Sequence, residues 1–171
     1  MPMPAPPAPP ADIVAALGSS WFGAGLSPEA IERLARIAVF REMSAGEELL
    51  HEGEITETFG IVLSGRIALR MLVPERGMVT ILTVEPGDVV GWSAIVAPHR
   101  ATSSSIAIEP VRMVELRGDR LRDLLRTDHA LAASVYPRVL QTVARRLSAT
   151  RLQLLDLFAR DELGRREVQP W

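Results

Sequence analysis

Arg100, Thr102 and Ser103 are residues of this 171-residue chain whose types and spacing suit chemistry, and the chemistry they suit is the holding of an anion. Arginine presents a planar, permanently charged fork that matches two phosphate oxygens, and the neighbouring hydroxyls add donors. Upstream, Pro86-Gly87-Asp88 reads as a turn, Val89-Val90 as a short apolar strand, and Gly91-Trp92-Ser93 as the opening of one helical turn. A glycine in that place lets backbone N–H groups approach a phosphate, because the first helical N–H groups have no partner within the helix. Each element taken alone is common, since an arginine is usually a solvated charge.

Other chemistries find less to use. The three histidines, His51, His99 and His129, stand apart rather than at ligand spacing, so we expect no metal site. There is no Gly-x-Ser-x-Gly elbow, no Walker loop and no cysteine nucleophile, and Glu47, Glu52 and Glu54 read as turn and solvent residues. The expectation is a protein that is not an enzyme and carries no cofactor.

The elements that must position the anion-binding stretch are mostly strands. Short runs at 39–43, 48–51, 58–63, 66–72, 78–84, 88–90, 103–108 and 111–116 alternate with turns rich in Gly, Pro, Ser or Glu. So many short strands at regular spacing predict a closed or double-sheet β unit. A short helix is expected over 11–17, and a clearer one from Ser27-Pro28-Glu29 to about residue 38, with Ser27 as N-cap and Pro28 in the first position. After the strands, Asp119 is expected to cap a short helix to residue 125, and Asp128 a long one that Pro137 kinks or divides. The helix should stop at Leu163-Gly164.

Along the long helix Tyr136, Leu140, Val143, Leu147, Thr150, Leu154 and Leu157 recur at steps of four and three. Such a seam suits the packing of helix on helix. Either the stripe covers the β unit, or it is a dimer seam built on Leu140, Val143, Leu147 and Leu154. The further apolar surface of Leu152, Leu155 and Phe158 favours the dimer.

Taken together, these features resemble the cyclic-nucleotide-binding domain family. The resemblance is carried by Ala45-Gly46-Glu47-Glu48-Leu49, His51-Glu52-Gly53-Glu54, Ile61-Val62-Leu63-Ser64-Gly65-Arg66-Ile67 and the stretch from Pro86 to Ser103. It spans Trp21 to Phe158 and implies an eight-stranded β-roll (a double-stranded jelly roll) flanked by N-terminal helices and a long C-terminal helix that pairs subunits and closes over the ligand. The phosphate-binding set it implies is Gly91, Trp92, Ser93, Arg100, Ala101 and Thr102. One departure stands out. The family's cAMP binders carry Glu directly after the cassette Gly, where it accepts the ribose 2'-hydroxyl, and here that residue is Trp92. The run Ala144-Arg145-Arg146-Leu147 followed by Thr150 resembles a family helix whose Thr contacts adenine, which makes Arg146 and Thr150 ligand-closing candidates beside the simpler reading of the two arginines as solvated or paired charges.

Domain organisation follows: a Pro/Ala tail at 1–10, a β-roll with its N-terminal helices at 11–126, a dimerisation helix at 127–163 and a tail at 164–171. Net charge is −2 and all 19 basic residues other than histidine are arginine, so no excess positive field advertises nucleic acid. The chain left after residue 164 is too short for a winged helix, and direct DNA binding is not expected. With no apolar run of membrane length and no cysteine, we expect a soluble cytoplasmic protein. The function this implies is a dimeric sensor of a cyclic nucleotide or related phosphorylated ligand, signalling through its C-terminal helix. The alternative is a ligand-free β-roll serving as an assembly module for a protein partner.

Overall fold

The computed structural model describes residues 9–166, with side chains described as far as Gln153 and at Leu155. Most of the expected 1–10 tail, residues 167–171, and the side chains of Leu154 and Leu157 of the expected seam and of Phe158 beyond it therefore lie outside the described residues.

Two helices open the fold. The first, α1 (Ala11–Ser19), buries Ile13 and Leu17, and the Ser20 hydroxyl donates back to the Leu17 carbonyl at 2.7 Å. The second, α2 (Pro28–Ala35), has its cap as expected: the Ser27 hydroxyl accepts from the Ala30 N–H at 3.2 Å. It stops at Ala35 rather than near residue 38, because Ala38 already opens β1 and pairs with Leu116.

Eight strands follow, each within one residue of its expected bounds at either end: β1 (Ala38–Met43), β2 (Glu48–Leu50), β3 (Thr58–Ser64), β4 (Ile67–Val73), β5 (Gly77–Val84), β6 (Val89–Val90), β7 (Ser104–Ala107) and β8 (Val111–Arg117). They form two antiparallel four-stranded sheets in the orders β1-β8-β3-β6 and β2-β7-β4-β5. Met43, Val62, Val90 and Met113 from the first sheet meet Ile67, Leu69, Val84 and Ala107 from the second in one core. The opposite face of the first sheet offers Phe59, Ile61, Val114 and Leu116 to the helices. Covered on both faces, β3 is buried without interruption from Phe59 to Val62, which is why it reads as an apolar run rather than as an alternation.

The last two helices are α3 (Gly118–Thr127) and α4 (His129–Arg166). Asp119 is not the cap of α3. The helix starts one residue earlier with Arg117 in the cap position, and the Asp119 carboxylate pairs with the Arg117 guanidinium at 2.8 Å. Asp128 does cap α4, accepting from the Leu131 N–H at 3.0 Å. That bond, with the Arg33 guanidinium adding to it, holds the Asp128 carboxyl below the usual carboxylate range. Helix α4 is continuous through Pro137, and it runs past the expected stop at Leu163-Gly164 to Arg166. Leu131, Val135, Val139 and Thr142 are its buried face, whereas Tyr136 and Leu140 of the expected seam are exposed. Among the described residues no helix is long and apolar enough to cross a membrane.

Candidate ligand-binding cavity

After β6 the chain turns at Gly91, whose φ of +74° lies in the left-handed region. A Cβ there would sit 2.0 Å from the Thr58 carbonyl oxygen, so only glycine allows this approach to β3. Trp92–Ala94 then makes one 3-10 turn, closed by the Ala94 N–H on the Gly91 carbonyl at 2.9 Å. Two side-chain contacts hold the turn in place. Arg122 of α3 donates to the Ala94 carbonyl at 2.6 Å, and the His99 ring lies with Nδ1 3.3 Å from the Ser93 carbonyl oxygen.

Residues 99–101 form a short ladder with the loop at 53–56. The Thr56 N–H donates to His99 O, the Ala101 N–H to Glu54 O and the Gly53 N–H to Ala101 O, all at 2.8 Å. Side chains alternate across such a ladder. Ala101 is turned inward and buried, whereas Arg100 is exposed and donates from Nη1 to the Gly53 carbonyl at 2.7 Å.

Between the second sheet, the cassette and α4 lies a cavity of about 190 Å³. Leu69, Ile81 and Leu82 form its apolar floor, Trp92, Thr102 and Ser103 one wall, and Val143, Arg146, Leu147 and Thr150 of α4 its roof. The structure thus gathers Trp92, Thr102, Arg146 and Thr150, keeps Gly91, Ser93 and Ala101 buried behind them, and leaves Arg100 out of the lining.

The roof is tied down by a pair of arginines. Arg145 donates to Asp88 at 2.8 Å and stacks 3.7 Å over the Trp21 ring, while Arg146 donates to the carbonyl of Val89. Partial burial brings the Arg146 guanidinium down to about 10, with Asp88 opposing that shift and Arg145 adding to it; the group stays charged at neutral pH. The Thr150 hydroxyl donates to Arg146 O at 2.9 Å and keeps its acceptor capacity.

Features not foreseen in the sequence are, among the described residues, two buried hydroxyls without a hydrogen-bond partner: Thr56 Oγ1 beside Gly91, and Ser105 Oγ of β7, two residues beyond Ser103. Ser103, Ser105 and Ala107 are all buried, and this period of two was the available signal. Leu140, outside the cavity, is 68% exposed, and Leu147 of its roof is 51% exposed. An apolar groove of about 480 Å³ runs between α4 and the 3-10 turn, lined by Trp92, Val96, Tyr136 and Leu140 among others.

The profile of the cyclic nucleotide-binding domain family matches residues 40–128. This chain belongs to that family. It is 32% identical over 142 residues to the CRP-like cAMP-activated global transcriptional regulator of Mycobacterium tuberculosis, a match that covers 82% of this chain and 61% of that protein. It is 30% identical over 95 residues to the acetyltransferase Pat of Mycolicibacterium smegmatis, covering 56% of this chain and 28% of the enzyme. The chain therefore spans less than two thirds of the length of these curated relatives. Among solved structures, a cyclic nucleotide-binding protein from Geobacter metallireducens superposes with a TM-score of 0.70 at 28% identity, covering 78% of this chain and 96% of that one. The eight-stranded roll with a long C-terminal helix is the fold of a cyclic nucleotide-binding domain.

Proposed function

We propose that the protein is a non-enzymatic sensor, which binds a cyclic nucleotide or related phosphorylated ligand in this cavity and signals through α4. The observation that carries the reading is the roof: α4 brings Arg146 and Thr150 over the cassette, and also bears the exposed Leu140 and Leu147. A ligand touching the first pair changes the free energy of the element that presents the second. The cAMP-activated regulator it resembles supports this reading. In this reading the protein acts in the cytoplasm and needs no cofactor.

The test is a thermal-shift screen of cyclic mono- and dinucleotides and sugar phosphates. A ligand that binds only the folded state at a hundredfold excess over Kd should raise Tm by about 5–10 °C. Trp92 weighs against tight cAMP binding, because an indole N–H cannot accept the ribose hydroxyl. Trp92→Glu should raise cAMP affinity by about 1.5–3 kcal/mol, with a smaller gain for 2'-deoxy-cAMP. Equal gains for both nucleotides would show that the carboxylate does not reach the ribose.

A second reading is favoured by the latch itself. The roof is already fastened through Arg145 and Arg146, and about 190 Å³ is below the range of roughly 300–1,000 Å³ usual for ligand pockets. A β-roll locked in this way would serve as an assembly module, and no compound in the screen would then shift Tm.

Both readings use α4 as a dimer seam, for which the exposed Leu140 and Leu147 beside the apolar groove are the support. Leu140→Glu with Leu147→Glu should give a folded monomer by light scattering and circular dichroism, because carboxylates without partners are costly in an apolar contact. A wild type that is already monomeric at micromolar concentration would end the dimer proposal.

A further inference from the structure

Burial along α4 changes in kind at Thr142. Leu131, Val135, Val139 and Thr142 are buried, and of the described side chains beyond Thr142 none is. The roof of the cavity, made by Val143, Arg146, Leu147 and Thr150, belongs to that second half. Guanidinium contacts tie it to the rest of the fold. Arg146 donates to Val89 O, while Arg138 and Arg145, two helical turns apart and so on one side of α4, both reach Trp21. Arg138 points Nη1 at the Trp21 carbonyl oxygen from 3.5 Å, and Arg145 lies 3.7 Å over the indole ring while donating to Asp88 at 2.8 Å.

Trp21 is a rigid post for these contacts. It stands in the loop between α1 and α2, flanked by the buried Ser20 and Phe22. The Ser20 hydroxyl donates to Leu17 O at 2.7 Å and accepts from the Gly23 N–H at 2.9 Å, and Phe22 is edge-on to Phe59 of β3. The β5–β6 turn packs against the same residue, since a Cβ on Gly87 would lie 3.7 Å from that of Trp21. Gly25 leaves room for Arg138, because a Cβ there would lie 2.6 Å from Nη2. Three segments remote in sequence thus meet at one indole. The contacts that join α4 to it are of a kind that is individually weak and screened by salt, unlike the apolar stripe before Thr142. We propose that Trp21, Arg138, Arg145 and Asp88 form a releasable clasp. Closed, it holds the second half of α4 on the roll; open, it lets the helix lift beyond Thr142 while the first half stays buried. The α1–α2 loop thereby controls the roof of the cavity. That consequence rests on the reading of the cavity as a ligand site, whereas the clasp itself does not.

The experiment measures amide hydrogen exchange by mass spectrometry on the full chain, as the ratio of the rate over 143–153 to the rate over 131–142. Wild type is compared with Arg145→Gln, Asp88→Asn and Trp21→Phe. The ratio should rise roughly threefold or more in Arg145→Gln, which loses the ring and the carboxylate together, and less in Asp88→Asn and in Trp21→Phe, whose smaller ring attracts a cation more weakly. It should also rise in wild type between about 0.05 M and about 1 M NaCl, where the Debye length falls to roughly 3 Å. The Trp21 indole N–H resonance, assigned through Trp21→Phe, should move in Arg145→Gln. A ratio unchanged in Arg145→Gln and Asp88→Asn overturns the clasp. Faster exchange of both segments alike overturns it too, since that marks a general loss of stability and no hinge at Thr142. A ligand screen without a hit would end the sensor reading and leave this result as it stands.

Discussion

Gly91→Val is expected to destabilise the protein by about 2–5 kcal/mol, combining the cost of a left-handed non-glycine residue with that of overpacking. The argument is local. At φ +74° the new Cβ would lie 2.0 Å from the Thr58 carbonyl oxygen, a backbone atom of β3 that cannot swing aside as a side-chain tip would. Relief must come from moving β6 and the 3-10 turn away from β3, and that turn carries Trp92 into the cavity wall. Urea unfolding should show the lowered midpoint, and any ligand found by thermal shift should bind the variant poorly. Gly46→Val is the control, because Gly46 has φ +86° but nothing within 4 Å of the Cβ position. It should suffer only the backbone part of the cost. Equal midpoints for the two variants would mean that the close approach of the cassette to β3 is not what glycine serves.

The features legible in the sequence were those set by local chemistry. Eight apolar runs punctuated by turn residues predicted eight strands to within a residue, and Ser27 and Asp128 declared their caps by type and position. Asp119 failed by the same rule, since Arg117 captures its carboxylate and α3 begins one residue sooner. The side to which Arg100 points was not legible. In an extended segment it depends on register against 53–56, and a slip of one residue exchanges Arg100 with Ala101. Similarly, α4 carries two adjacent stripes, 131/135/139/142 and 136/140/143/147. Periodicity singled out the second, and only the packing of α4 on the roll shows that the first is the buried one. Arg145 and Arg146 look alike in sequence. The rotation of about 100° between consecutive helical residues sends the first to Asp88 and the Trp21 ring and the second into the cavity.

Phe59→Ala separates the stability of the helical layer from the chemistry of the cavity. Phe59 is fully buried on the face of β3 that meets the helices, edge-on to Phe22 with ring centroids 5.3 Å apart. Truncation removes that aromatic contact and leaves a hole among Leu17, Leu34, Leu116 and Leu121, which a fold tied by two sheets cannot readily collapse to fill. The cost should be about 3–5 kcal/mol, seen as a Tm lower by roughly 6–20 °C. The cavity is floored by the other sheet, through Leu69, Ile81 and Leu82, so below the lowered Tm its ligand affinity should match the wild type. A Tm within a degree or two of wild type would show that the Phe22–Phe59 contact does not hold the helical layer to β3. Unchanged stability with lost binding would be the more damaging result, because it would place the ligand on the helical face of the first sheet and empty the α4-roofed cavity of its role.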